Sequence, residues 1–257
     1  MGTYTGLDVN DAGSLASFGM RTILSGFYNI PKFPLLDVKA MADTGELGPA
    51  GRRNCALDAP GFEEKVYVKF DHFGNNVLNI GIQSLEGCTV VTVVSRSAVY
   101  MGHFFESLAF APEGKAPDTA FQQNCINFIT GQGQTWRTRG DSLDPSLFSG
   151  PAVAFIMTPR QDQDDPTEQN PNPPVPGADT QLYGDRMRTL SQTLTNLIPG
   201  ITIVYYNYIA INIEEYQQAY QGKALFGYDS NADGAGNPNF RLWYEQTFET
   251  GINLGLL

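Results

Sequence analysis

Cys88-Thr-Val-Val-Thr-Val-Val94, then Ser95-Arg96-Ser97, then Ala98-Val-Tyr-Met-Gly-His-Phe-Phe105 is the stretch that decides how this chain folds. Both runs are rich in β-branched and aromatic residues, and the polar triplet between them reads as a tight turn, so the pair predicts an antiparallel hairpin. A two-residue loop at Ser95-Arg96 makes paired positions sum to 191, which sets Cys88 opposite His103 and Val90 opposite Met101. A four-residue loop from Val94 to Ser97 keeps that sum, and Ser-Arg is not the Asn-Gly or Gly-X pair that two-residue turns favour. An odd-length loop turns Cys88 and His103 to opposite faces. Directly opposed residues have Cβ atoms about 4.5–5.5 Å apart, close enough for an imidazole to take a thiol proton.

Further strands surround the hairpin. Lys65 to Phe70 and Asn76 to Gln83 precede it, and Pro151 to Thr158, Ile201 to Ile213, Lys223 to Tyr228 and Arg241 to Phe248 follow. Four consecutive strands imply an antiparallel or mixed sheet, and the later ones a second sheet packed on the first. Two helices stand out. Phe121, Cys125 and Phe128 recur at helical spacing between an Asp118 N-cap and Gly131; Tyr183, Met187, Leu190, Leu194 and Leu197 form an apolar stripe ending at Pro199-Gly200. The fold class expected is α+β (α/β in the broad sense): a mixed or antiparallel β-sandwich core with peripheral helices and long loops.

Residues 1–257 read as a single catalytic-type domain. The first sixty residues are rich in Gly, Pro and Asp and wrap the core, with a short helix over Leu15 to Tyr28. The interval 159–179 carries Asp162, Asp164 and Asp165 followed by Pro166, Pro171, Pro173, Pro174 and Pro176, a composition that buries little apolar surface and predicts a disordered or lid-like loop.

Gly87 stands immediately before Cys88, where a glycine lets backbone approach a substrate closely. Leu85-Glu86-Gly87-Cys88, a β-run, a short turn and a His fifteen residues after the Cys resemble the catalytic core of the cytotoxic necrotizing factor deamidases. The resemblance covers Val66 to Phe105. It implies Cys88 as nucleophile, His103 as its base, no cofactor, and deamidation of a glutamine side chain in a protein substrate, with Rho-type small GTPases first among targets. In the family a main-chain carbonyl orients the His, which leaves no side chain to match, and Glu86 stands where the lethal-factor branch has serine. Backbone N–H groups at Gly87 and Cys88 are the natural oxyanion donors. A transglutaminase or a cysteine protease would use the same dyad.

Read without the resemblance, a Cys at the head of an apolar strand is a core residue, and the chain is equally a non-enzymatic secreted binding or structural protein. Cys125 reads as core; Cys55 is either exposed or paired with Cys125 in a secreted chain. His72, in the turn-like Phe70-Asp71-His72-Phe73-Gly74, is the rival base. Asp229, Asn231 and Asp233 with Gly234 copy the first half of a calcium loop, but position twelve is Phe240, so the metal candidate is weak and an Asx-turn competes with it.

The 16 Lys and Arg against 27 Asp and Glu, a net charge of −11, argue against a nucleic-acid groove. No apolar run reaches the roughly 18 residues of a membrane span, and the N-terminus lacks a signal peptide's charged and apolar regions. With 27 Gly and 12 Tyr, the composition leans to a secreted or host-delivered protein whose leader is absent from this chain, with a cytoplasmic one as the alternative.

Overall fold

A computed structural model describes residues 47–48, 52–56, 66–75, 77–82, 85–110, 117–161, 175–210, 222–245 and 247–250. The expected helix over Leu15 to Tyr28 and most of the 159–179 loop lie outside them.

The central strand is β5 (Thr89–Ser95), and every residue in it is buried. Val91 and Val93 point to one side, Val90 and Val94 to the other, and each side belongs to a different apolar core. A strand covered on both faces needs no polar alternation, which is why its sequence is a continuous Val/Thr run. Its hydroxyls are paired within the interior: Thr89 Oγ1 lies 2.7 Å from Thr158 Oγ1, and the Tyr244 hydroxyl donates to Thr92 Oγ1 at 2.5 Å.

The other strands are β1 (Leu47–Gly48), β2 (Arg52–Ala56), β3 (Val66–His72), β4 (Val77–Ile82), β6 (Ala98–Phe104), β7 (Thr138–Arg139), β8 (Ala152–Pro159), β9 (Thr202–Tyr208), β10 (Ala224–Asp229), β11 (Asn239–Tyr244) and β12 (Thr247–Thr250). They form two six-stranded sheets, ordered β7-β3-β6-β5-β8-β9 and β1-β2-β4-β10-β11-β12. Pairing is mostly antiparallel, with parallel contacts at β2–β4, β3–β7 and β8–β9. The expected run Arg241 to Phe248 is two strands, divided at Glu245, a non-glycine residue at φ 52° whose N–H donates to the Lys223 carbonyl.

Helices cover the outer face of the β5 sheet. The first, α1, joins Pro117–Phe121, a π-helical turn Gln122–Ile126 and Asn127–Ile129; the second, α2, is Gly184–Leu197. Met187, Leu190 and Leu194 of α2 and Phe121, Cys125 and Phe128 of α1 pack on Val91, Val93, Tyr100, Phe104 and Ile156. The opposite face meets the second sheet through Val90, Met101, Phe155 and Met157 against Ile80, Phe226, Phe240 and Leu242. The fold is therefore α+β, a mixed two-sheet core with helices on one side, and the described strands form no closed barrel.

Candidate functional site

The β5–β6 hairpin forms, but one residue further along than the sequence suggests. Its pairs are Thr89↔Phe104, Val90↔His103, Thr92↔Met101 and Val94↔Val99, so paired positions sum to 193 rather than 191. The loop is Arg96-Ser97. Ser95 causes the shift: its Oγ accepts the N–H groups of Ser97 and Ala98 at 3.2 Å each and donates to the Leu147 carbonyl at 2.9 Å, which holds it in the strand, opposite Ala152 of β8.

A shift of two in the sum preserves which face each side chain takes. Val90, not Cys88, is directly opposite His103, and Met101 faces Thr92. Cys88 lies one step beyond the last pair, on His103's face, as its diagonal neighbour; diagonal positions are about 7–8 Å apart. Continuing the ladder places Phe105 opposite Cys88, and the Phe105 ring stacks on the His103 ring at 4.3 Å between centroids. Cys88 is 7% exposed and His103 1%, between the two sheets at one end of the strands.

Residues that no sequence pattern marked complete this end of the sheet. The Gly87 N–H donates to the Tyr208 hydroxyl at 3.1 Å, and that hydroxyl donates to the Cys88 carbonyl at 2.7 Å. Tyr208 thus pins the peptide on both sides of Gly87–Cys88, and burial, first, then the neighbouring Cys88, Glu106 and Glu245, push its ionisation well above the usual tyrosine range. The expected oxyanion donor at Gly87 is consequently engaged by Tyr208. Gly87 itself has φ +145°, and a Cβ there would collide with the Glu106 carboxylate, whose Cδ would be 2.9 Å away. The backbone conformation favours glycine at this position, and a side chain there would also have to displace the Glu106 carboxylate. Glu106 in turn accepts a hydrogen bond from Tyr183, just ahead of α2, and burial together with that bond raises the Tyr183 ionisation. Glu106 directly follows Phe105 in the chain and Tyr208 ends β9, so neither carried a motif to announce it.

The remaining candidates separate from this place. His72 pairs with Ala98 while Tyr67 pairs with His103, so His72 sits five residues along β3, about 17 Å away at 3.4 Å per residue. Cys125 is a buried free thiol in the helix-side core, its ionisation raised by burial, so it forms no disulfide with Cys55. Asp229, Asn231 and Asp233 close the β10–β11 turn: Asp229 Oδ1 accepts from the Asn231 N–H at 2.8 Å, Asn231 Oδ1 from Gly236 at 2.6 Å, and Asp233 Oδ1 from Ala235 at 2.8 Å. Their oxygens serve the loop's own backbone, as in an Asx-turn. A groove of about 400 Å³ lies elsewhere, over α1, lined by Thr119, Gln123, Asn124, Thr135, Trp136 and Arg137. Among the described residues no helix is long and apolar enough to cross a membrane.

No family model matches this sequence, and no curated protein does. Among solved structures, the crystal structure of the C-terminal domain of CNFy from Yersinia pseudotuberculosis is similar at 11% identity and a TM-score of 0.30, the match covering 77% of this chain and 60% of that one. The match thus spans less than two thirds of that protein's chain, and at this score the likeness carries no argument about the site.

Proposed function

We propose that the chain is a thiol-dependent protein glutamine deamidase, with Cys88 as nucleophile and His103 as base. The supporting observation is that Cys88 and His103 share one face at one end of the central sheet, behind a Gly87 whose φ of +145° favours glycine. The Leu-X-Gly-Cys and His spacing, which resembles the cytotoxic necrotizing factor deamidases, supplies the substrate class, and Rho-type small GTPases are the first targets to test.

In this mechanism the His103 imidazole takes the Cys88 proton and the thiolate attacks the side-chain carboxamide carbon. The imidazolium returns the proton to the departing nitrogen, so ammonia leaves and a thioester remains. Water then hydrolyses the thioester, giving glutamate and the free thiol. Diagonal placement requires the two side chains to lean toward each other along the strand, and a substrate reaches Cys88 only when the surrounding segment opens.

Mass spectrometry of GTPases incubated with the protein tests this directly. One glutamine gaining the mass of glutamate is the expected result, lost in Cys88→Ser and nearly lost in His103→Ala. His72→Ala and Cys125→Ala leave it in place.

A second reading has its own observation: Trp136 is 70% exposed with the Arg137 guanidinium 4.8 Å over its ring, beside the groove on α1. Trp and Arg dominate binding hot spots, and a non-enzymatic recognition protein would use this surface while Cys88 serves the core. Absence of deamidation combined with a Cys88 that resists alkylation in the folded chain selects it.

A further inference from the structure

The carboxylate of Glu106 rests on Gly87, the residue before the thiol, and Tyr183 holds it there by a hydrogen bond. It is half-buried at the start of the π-helical turn Glu106–Phe110, immediately after Phe105, which stacks on His103. Gly87 is the point the groups share: the Glu106 carboxylate packs against it, Cys88 follows it in the chain, and the buried Tyr208 hydroxyl bonds its N–H and the Cys88 carbonyl.

We propose that Glu106 sets the charge selectivity of the Cys88 site: its carboxylate admits a neutral carboxamide and repels a carboxylate, so that glutamine enters and product glutamate is expelled. The inference rests on Cys88 being the reactive thiol. Glutamine and glutamate side chains are nearly isosteric, so shape alone separates them poorly, whereas a negative charge held against the residue next to the thiol separates them by sign. The carboxylate also accepts a hydrogen bond from an amide NH2 group, which a second carboxylate cannot donate. Tyr183 keeps the charge in place rather than reacting, and is a positioning residue.

Alkylation of Cys88 in the 257-residue chain tests this without any substrate protein. Iodoacetamide is neutral and iodoacetate is anionic, and each transfers its carbon to the thiolate with loss of iodide, so the rate ratio at the Cys88 peptide, read by mass spectrometry, reports the charge at the site. The same chain unfolded in urea is the reference. Relative to it, the folded wild type is expected to favour iodoacetamide, and Glu106→Gln is expected to lower that preference about tenfold, the scale of one nearby charge at an intermediate effective dielectric. Glu106→Asp and Tyr183→Phe keep the charge and retain the sign of the preference. A Glu106→Gln ratio equal to wild type overturns the proposal while leaving the deamidase reading standing. If Glu106→Gln fails to fold, a wild type with no preference over the unfolded chain overturns it equally. A Cys88 inert to both reagents in the folded chain overturns the proposal and the deamidase reading together.

Discussion

Tyr208 and Cys88 stand 120 residues apart in the chain, yet the tyrosine hydroxyl donates to the Cys88 carbonyl at 2.7 Å while accepting the Gly87 N–H. One side chain from β9 thereby fixes the peptide geometry at the head of β5, two strands away across β8. Removing it tests whether this clamp holds the segment shut.

Tyr208→Phe keeps the ring in the core and deletes both hydrogen bonds, leaving a buried N–H and a buried carbonyl without their partner. A loss of about 1–3 kcal/mol is expected, the cost of a buried polar group left unsatisfied. Urea unfolding measures it. Cys88 alkylation should accelerate at the same time, because the Gly87–Cys88 segment that carries the thiol loses its anchor; unchanged stability and unchanged labelling would show that the clamp contributes nothing.

Gly87→Ala meets both a φ of +145° and the Glu106 carboxylate. Backbone strain of this kind costs about 1–3 kcal/mol, before the collision is added. Combining it with Glu106→Ala should recover the collision but not the strain, so the double variant melts between Gly87→Ala and the wild type after allowance for Glu106→Ala alone. Full recovery would mean that the backbone conformation was never the constraint.

Alkaline pH should unfold the protein cooperatively. Tyr100, Tyr208 and Tyr244 are buried, and burial is the first cause holding each ionisation above the ordinary tyrosine value of 10.0. A raised folded-state value means the native state keeps protons that the unfolded state releases, so the stability they contribute is complete below about pH 10 and falls as pH rises beyond it. Melting temperature from pH 8 to 11 follows this course, with phenolate absorbance from these three rings appearing during unfolding. Phenolate signal from them in the intact fold contradicts it.

Calcium should leave the melting temperature unchanged. Asp229, Asn231 and Asp233 spend their oxygens on backbone N–H groups of their own turn, and Asp233 is held below the usual carboxylate range first by Asn237 and then by the Ala235 N–H. No bidentate carboxylate stands at the twelfth position, where Phe240 is buried. A rise in melting temperature at micromolar calcium would show that the loop rearranges to bind the ion.

Much of the scaffold was legible because it rests on local periodicity. The Val/Thr run of β5 and the heptad-like stripe of α2, with Met187, Leu190 and Leu194 inward, appear where their spacing puts them. Cys88 and His103 also share a face as the alternation implies, since side-chain parity is a period-two property of each strand. The strand break at Glu245 escaped the pattern, because its unusual backbone is stabilised by Lys223 and Gly222 rather than by its own neighbours.

Residue composition and alternation by themselves determined two sheets, a covering helical layer and the face on which thiol and imidazole lie. Only the tertiary structure decided the offset between them, because the hairpin turn is placed by Ser95 bonding to Leu147, 52 residues away. It alone brought Tyr208, Tyr183 and Glu106 around Gly87. Periodicity is carried by covalent neighbours, but register and site closure depend on hydrogen bonds between segments whose proximity exists only after the chain has collapsed.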